Sequence, residues 1–154
     1  MTKKSLCYLV RISIIAVALC GLFICLCAYP FGVALNGLDA TEPEMWIQMV
    51  FYWISALPCF AILGIGWRMS SSLKGEFFTH KNARMLERAG YLLFCDAVFY
   101  LAGNVGFMII GQNIFAIFSF MMVAFALVVS LAFFAAGHYV ARAASLREEN
   151  ESYI

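Results

Sequence analysis

Charged residues divide the chain into long apolar runs separated by short polar segments. Four runs of 18 to 24 residues contain no charge apart from Asp96: Ile12–Tyr29, Trp46–Trp67, Ala89–Gly111 and Ile114–Gly137. About 20 apolar residues in an α-helix cross the hydrocarbon core of a membrane, and a helix satisfies its own backbone hydrogen bonds there. The alternation of polar and apolar residues that membrane β-strands require is absent from these runs. The pattern therefore predicts four transmembrane helices.

The predicted fold class is an all-α integral membrane protein. It has four transmembrane helices in an antiparallel bundle, with an amphipathic cytoplasmic elbow between the second and third helices. A single transmembrane domain, residues 1–154, would hold helices at about 8–36, 45–73, 79–111 and 114–147. Small residues three or four apart, such as Gly103 and Gly106, are expected to set the helix contacts because they let backbones approach closely.

The composition excludes several classes of protein. Of the 154 residues, 64% are apolar and 12% are charged, with a mean hydropathy of +0.89. A soluble domain is about half apolar and a quarter charged. A chain of this size cannot bury so many apolar residues as a soluble monomer, and a disordered chain is less hydrophobic. The net charge of +1 provides no field for binding nucleic acid directly.

The basic residues all lie on one side of the predicted membrane. They fall before the first helix, between the second and third, and after the fourth: Lys3, Lys4, Arg11, Arg68, Lys74, Lys81, Arg84, Arg88, Arg142 and Arg147. The opposite loops, Pro30–Met45 and Gln112–Asn113, carry only Asp39, Glu42 and Glu44. Because basic loops remain in the cytoplasm, we expect both termini to be cytoplasmic and the protein to lie in the cytoplasmic (inner) membrane.

The first apolar run also follows two lysines, as the apolar core of a secretory signal peptide does. An uncleaved helix is favoured because its 18 uncharged residues exceed the usual core of about 7–15 residues, and no clear A-x-A cleavage site follows. Cleavage would leave the orientation of the other helices unchanged.

The side chains that carry chemistry are few and scattered. The six cysteines form no C-x-x-C pair, and none lies in the predicted outer loops, where an oxidising compartment would form disulfides. The two histidines, His80 and His138, have no second ligand at metal-binding spacing. No phosphate loop, nucleophile elbow or pair of acids occurs. We therefore expect no enzymatic activity, no cofactor and no metal.

Asp96 is the one ionisable residue well inside an apolar run, and Tyr100 and Asn104 follow it at helical spacing. Acids in lipid are costly and mark either function or a polar contact inside the protein. The functional interpretation is an ion or proton relay, or a contact with a small ligand. The structural interpretation is a hydrogen bond between helices, with Arg68 or His138 as the partner. The structural one is favoured, because a single acid makes a poor conduction path.

The segment between the second and third helices contains the strongest local signals. Gly75 is expected to end the second helix, and Thr79 is a good N-cap for the third. The plain interpretation is an elbow on the lipid surface whose basic residues hold anionic headgroups. The alternative is a docking surface for a cytoplasmic protein. The physical pattern alone favours the plain interpretation.

Two cytoplasmic motifs resemble those of a bacterial four-helix membrane family, domain of unknown function 2975 (DUF2975). The first is the elbow motif, Gly75-Glu-Phe-Phe-Thr-His-Lys-Asn-Ala-Arg-Met-Leu-Glu-Arg-Ala-Gly90. The second is the tail, Ala144-Ser-Leu-Arg-Glu-Glu-Asn-Glu-Ser-Tyr-Ile154. The chain departs from the family at Phe77, where proline is usual, and also at Met85, Ala89, Asn150 and Ser152-Tyr153.

The resemblance implies a protein with no established enzymatic activity, whose relatives are often encoded beside a small helix-turn-helix protein of the Xre type. A regulator or adaptor that binds such a protein is then one hypothesis; a small transporter or channel subunit that uses Asp96 is the other. A homo-oligomer is compatible with both. In the first hypothesis Arg84 or Arg88 would pair with Glu148 or Glu149. The partner-binding residues carried over by the resemblance are Phe78, Thr79, Asn82, Arg84, Leu86, Gly90, Leu146, Glu148 and Glu149.

Overall fold

A computed structural model describes residues 3–36, 43–72, 77–109 and 116–152 of the chain. These residues form four helices: α1 (Lys3–Asn36), α2 (Pro43–Ser72), α3 (His80–Ile109) and α4 (Ala116–Ser152). No strand occurs within the described ranges, and each of the four helices is long and apolar enough to cross a membrane. The predicted all-α fold with four membrane-length helices is confirmed. The expected break at Gly75 lies outside the described residues.

The last helix is longer than its apolar run. It continues to Ser152, beyond the predicted end at 147. The residues after Gly137 include alanine, leucine, arginine and glutamate, which are strong helix formers. Arg147 and Glu151 add an ion pair one turn apart, with Nε and Oε1 2.7 Å from each other. At 1.5 Å per residue, the helix extends about 22 Å past Gly137.

Helices α1 and α2 are joined by hydrogen bonds at separate positions along their length. Near the start of α1, Cys7 Sγ donates to the Ser70 carbonyl oxygen at 3.1 Å. Further along α1, Trp53 Nε1 donates to the Cys25 carbonyl oxygen at 3.3 Å. Since early residues of one helix meet late residues of the other, the two helices run in opposite directions.

Helices α2 and α3 also run in opposite directions. Ser72 Oγ donates to Asn82 Oδ1 at 3.3 Å, where α2 ends and α3 begins. Further along both helices, Ser55 Oγ donates to Asp96 Oδ1 at 3.0 Å. The second of these bonds lies inside both apolar runs, so α2 and α3 are linked at the membrane level as well as at their ends.

Helices α3 and α4 form the most extensive contact in the described part of the chain. Ser130 Oγ donates to the Gly90 carbonyl oxygen at 2.9 Å, and His80 at the start of α3 lies beside Glu148 near the end of α4. Small side chains allow this approach; those buried on the two helices include Ala83, Ala89, Ala97 and Ala144. Within the described ranges, the backbones of α1 and α4 do not approach each other.

These contacts bring four helix ends together. The start of α1, the end of α2, the start of α3 and the end of α4 are linked in sequence through Cys7–Ser70, Ser72–Asn82 and His80–Glu148. We call this part of the molecule the basic end, because the segments that carry the lysines and arginines converge on it.

Candidate functional site

The elbow motif begins with a helix cap. Thr79 Oγ1 accepts a hydrogen bond from the Asn82 backbone N–H at 3.3 Å, and the Thr79 carbonyl oxygen accepts one from the Ala83 N–H at 3.1 Å. A threonine in this position satisfies N–H groups that have no partner inside the helix. The predicted N-cap role of Thr79 is confirmed.

Asn82 ties three segments together. Its side chain is buried, and Nδ2 donates to the Phe77 carbonyl oxygen at 2.7 Å. Its Oδ1 accepts the bond from Ser72 at the end of α2. The amide therefore joins α2, the segment 77–79 and α3, and it is engaged inside the protein.

Gly90 lies where α4 approaches α3 closely. A Cβ on Gly90 would lie 3.0 Å from the Phe134 ring, and its carbonyl oxygen accepts the hydrogen bond from Ser130. Leu86, one turn earlier, is half-buried. Of the motif residues in the elbow, Thr79, Asn82 and Gly90 thus have structural roles.

The other motif residues form an exposed surface at the basic end. Their side chains are open to the surroundings: Phe78, Arg84, Leu146, Glu148 and Glu149. The elbow and the tail adjoin, since His80 Nε2 lies 3.6 Å from Glu148 Oε1. Both side chains are well exposed, so this contact reports proximity and contributes little stability.

The expected pairing of Arg84 or Arg88 with Glu148 or Glu149 is wrong, because the described ion pairs include neither arginine and His80 is the residue beside Glu148. His80 is the first residue of α3 and therefore lies nearest to the end of α4. Arg88 lines a cavity together with Arg68 of α2. Among the described residues, neither Arg84 nor Arg88 forms an ion pair.

Asp96 is bonded to Ser55 of α2 at 3.0 Å. The predicted partners, Arg68 and His138, are therefore wrong. Arg68 lines a separate cavity, and His138 is exposed on α4 beside the Tyr139 ring. Ser55 is the hydrogen-bond partner because it lies opposite Asp96 on the neighbouring helix. In the sequence, Ser55 is only a polar residue near the middle of an apolar run.

A cavity of about 520 Å³ adjoins Asp96. All four helices contribute to its walls, which are largely apolar. Its lining includes Val17, Ser55, Cys59, Asp96, Tyr100, Phe125 and Phe133. A cavity of this size is in the range that holds a small molecule.

The structure places only some of the three polar residues Asp96, Tyr100 and Asn104 in one site. Asp96 and Tyr100 line the cavity. Asn104 is buried instead, and its Nδ2 donates to the Tyr100 carbonyl oxygen of its own helix at 2.7 Å. Two of the three residues thus belong to one site.

The fold and these sites define a multi-pass helical membrane protein. A family model described as "Protein of unknown function (DUF2975)" matches residues 15–154, and the chain belongs to this family. The match includes both motifs on which the resemblance was based, so that resemblance is confirmed. No curated protein and no solved structure matches the chain.

Proposed function

We propose that this protein is a non-enzymatic adaptor of the bacterial inner membrane that binds a small cytoplasmic helix-turn-helix protein of the Xre type. The elbow and the tail form the binding surface. Both termini lie in the cytoplasm in this proposal, because lysines and arginines favour the cytoplasmic side and the segments that carry them converge on the basic end.

The observation that carries this proposal is the proximity of His80 to Glu148, 3.6 Å apart. It makes one continuous surface from two motifs that are far apart in sequence. The side chains of residues 145–151 are all exposed, so this part of the tail is a helix accessible to a partner. Phe78 and Leu146, which are 53% and 54% exposed, supply apolar contact area of the kind that binding surfaces use.

The charge of the tail suits this partner. Glu148, Glu149 and Glu151 lie within four residues, and Glu151 forms an ion pair with Arg147 one turn earlier. A helix-turn-helix protein carries basic residues that contact DNA phosphates. The acidic tail attracts that same surface, so binding at the membrane competes with binding to DNA.

The test is co-purification of the full chain from its own cells in mild detergent, with mass spectrometry of the soluble proteins recovered. A recovered helix-turn-helix protein is then purified, and its dissociation constant is measured by titration. We expect Leu146→Ala and Glu148→Lys each to weaken binding about tenfold, the effect of losing a central interface contact.

Ser145→Ala is the matched control for the tail. Ser145 is exposed next to Leu146, and its hydroxyl bonds to the Ala141 carbonyl oxygen of its own helix, so binding should be unchanged. Recovery of no helix-turn-helix protein, or an equal loss of affinity in Ser145→Ala, contradicts the proposal.

A second candidate function, ion-coupled transport, is favoured by the position of Asp96. Its carboxylate adjoins a cavity of about 520 Å³, and ionisable residues at membrane depth are characteristic of proton and substrate pathways. Ser55 and Tyr100 place two hydroxyl groups in the same cavity, which gives a proton more than one site to occupy.

Transport is tested by proton entry into liposomes that contain the protein, driven by an imposed membrane potential and measured with a trapped pH-sensitive dye. If Asp96 carries protons, Asp96→Asn should reduce the rate to that of protein-free liposomes. Cys95→Ala, next to it in sequence and absent from the cavity lining, should retain the full rate. Equal rates in the wild type and in protein-free liposomes would exclude this function.

A further inference from the structure

A second cavity, of about 400 Å³, lies between α2 and α3 at the basic end. Arg68 of α2 and Arg88 of α3 both line it. Its other walls are mostly apolar and include Ile65, Leu92 and Cys95. The cavity therefore joins two positive charges to an apolar interior, which is the arrangement that an amphiphile with an anionic head would match.

The two guanidinium groups have no counter-charge in the described part of the chain. No acid lines this cavity, and neither arginine takes part in an ion pair or a side-chain hydrogen bond with another described residue. Both arginines are exposed, and each guanidinium has five hydrogen-bond donors. An anion bound between them accepts hydrogen bonds from those donors.

The cavity lies at the level where lipid headgroups are expected. Tyr91 lines it, and Trp67 precedes Arg68 on α2. Tryptophan and tyrosine concentrate at the boundary between hydrocarbon and headgroups. The guanidinium of Arg11 lies over the Trp67 ring, with Cζ 5.0 Å from the ring centroid. A basic residue of α1 therefore lies at the same level as Arg68.

We propose that this cavity binds an anionic phospholipid, with the phosphate held between Arg68 and Arg88. Guanidinium groups recognise phosphate through paired hydrogen bonds, and basic pockets between transmembrane helices bind anionic headgroups. Ile65, Leu92 and Cys95 contact the upper part of the acyl chains. The site is independent of the adaptor proposal, because it uses neither the tail nor Phe78.

The test uses the full chain reconstituted in vesicles of phosphatidylglycerol and phosphatidylcholine and then extracted in mild detergent. Native mass spectrometry counts the lipids that stay bound. We expect phosphatidylglycerol to be retained in preference to phosphatidylcholine. The double variant Arg68→Gln/Arg88→Gln should bind it at least about tenfold more weakly, since hydrogen bonds to charged groups are the strong ones.

Arg84→Gln/Arg142→Gln is the matched control, because it removes the same charge from two exposed positions outside the cavity and should retain the lipid. Arg68→Lys/Arg88→Lys keeps the charge but loses the paired bonds, so intermediate affinity is expected even if the glutamine variant folds poorly. Equal retention of both lipids, equal loss in the control, or displacement of the lipid by inorganic phosphate overturns the proposal.

Discussion

Replacing Gly103 by alanine is expected to lower the free energy of unfolding by about 1–3 kcal/mol, the usual cost of overpacking. The ring of Phe51 occupies the position that a Cβ on Gly103 would take. That ring cannot turn away easily, because it stacks on Phe99 and Tyr100 with centroids 5.0 and 5.7 Å away. The added methyl group must therefore push α2 and α3 apart.

Gly106→Ala is the control for this prediction. Gly106 lies three residues further along the same helix, and none of the described residues beyond its chain neighbours and its own helix backbone comes within 4 Å of an added Cβ. Alanine is the better helix former, so this variant should be as stable as the parent or slightly more so. Thermal or denaturant unfolding in detergent micelles measures both. Equal stability of the two variants would show that the contact at Gly103 is not tight.

Replacing Asn82 by leucine is expected to cost about 1–3 kcal/mol, because buried polar groups are left without partners. Leucine cannot donate to the Phe77 carbonyl oxygen or accept from Ser72, the two bonds that the amide makes at 2.7 and 3.3 Å. The loss should be local: amide hydrogen exchange at the start of α3 should become faster, as it does where a helix end opens.

Arg84→Leu provides the comparison. It introduces the same side chain two residues later, at an exposed position, and leaves the bonds of Asn82 in place. Its stability and its exchange at residues 80–83 should match those of the parent. If Arg84→Leu and Asn82→Leu have equal effects, the joint between α2 and α3 does not depend on the amide.

The motif residues at the basic end are of two kinds, structural and surface-exposed, and the sequence motifs alone do not tell them apart. Thr79, Asn82 and Gly90 hold the helices in place, whereas Phe78, Arg84 and the tail acids remain on the surface. Substitutions in the first group should change both stability and binding. Substitutions in the second group should change binding alone, which makes the surface residues the informative ones for the adaptor function.

Some local details follow from the sequence as readily as the helices do. The Thr79 cap is an example, because it joins residues only three apart. The contacts within the candidate sites are less predictable from the sequence. The sequence identifies Asp96 as a polar residue inside a span. It does not identify the bond from Ser55 to Asp96 or the contact between His80 and Glu148. These pairs are separated by long stretches of chain, and no local pattern links their members.

The number, type and approximate extent of the helices follow from the amino-acid sequence, because the free energy of placing a run of residues in lipid depends on the composition of that run. The rotation of each helix about its axis does not follow from the sequence and is seen only in the folded protein. Runs that are apolar on every side give no sign of which face meets a neighbour, and in lipid no hydrophobic force between helices selects one. Gly103 and Gly106 look alike in sequence, yet Phe51 lies against Gly103, whereas no neighbour in the described ranges lies within 4 Å of a Cβ added to Gly106.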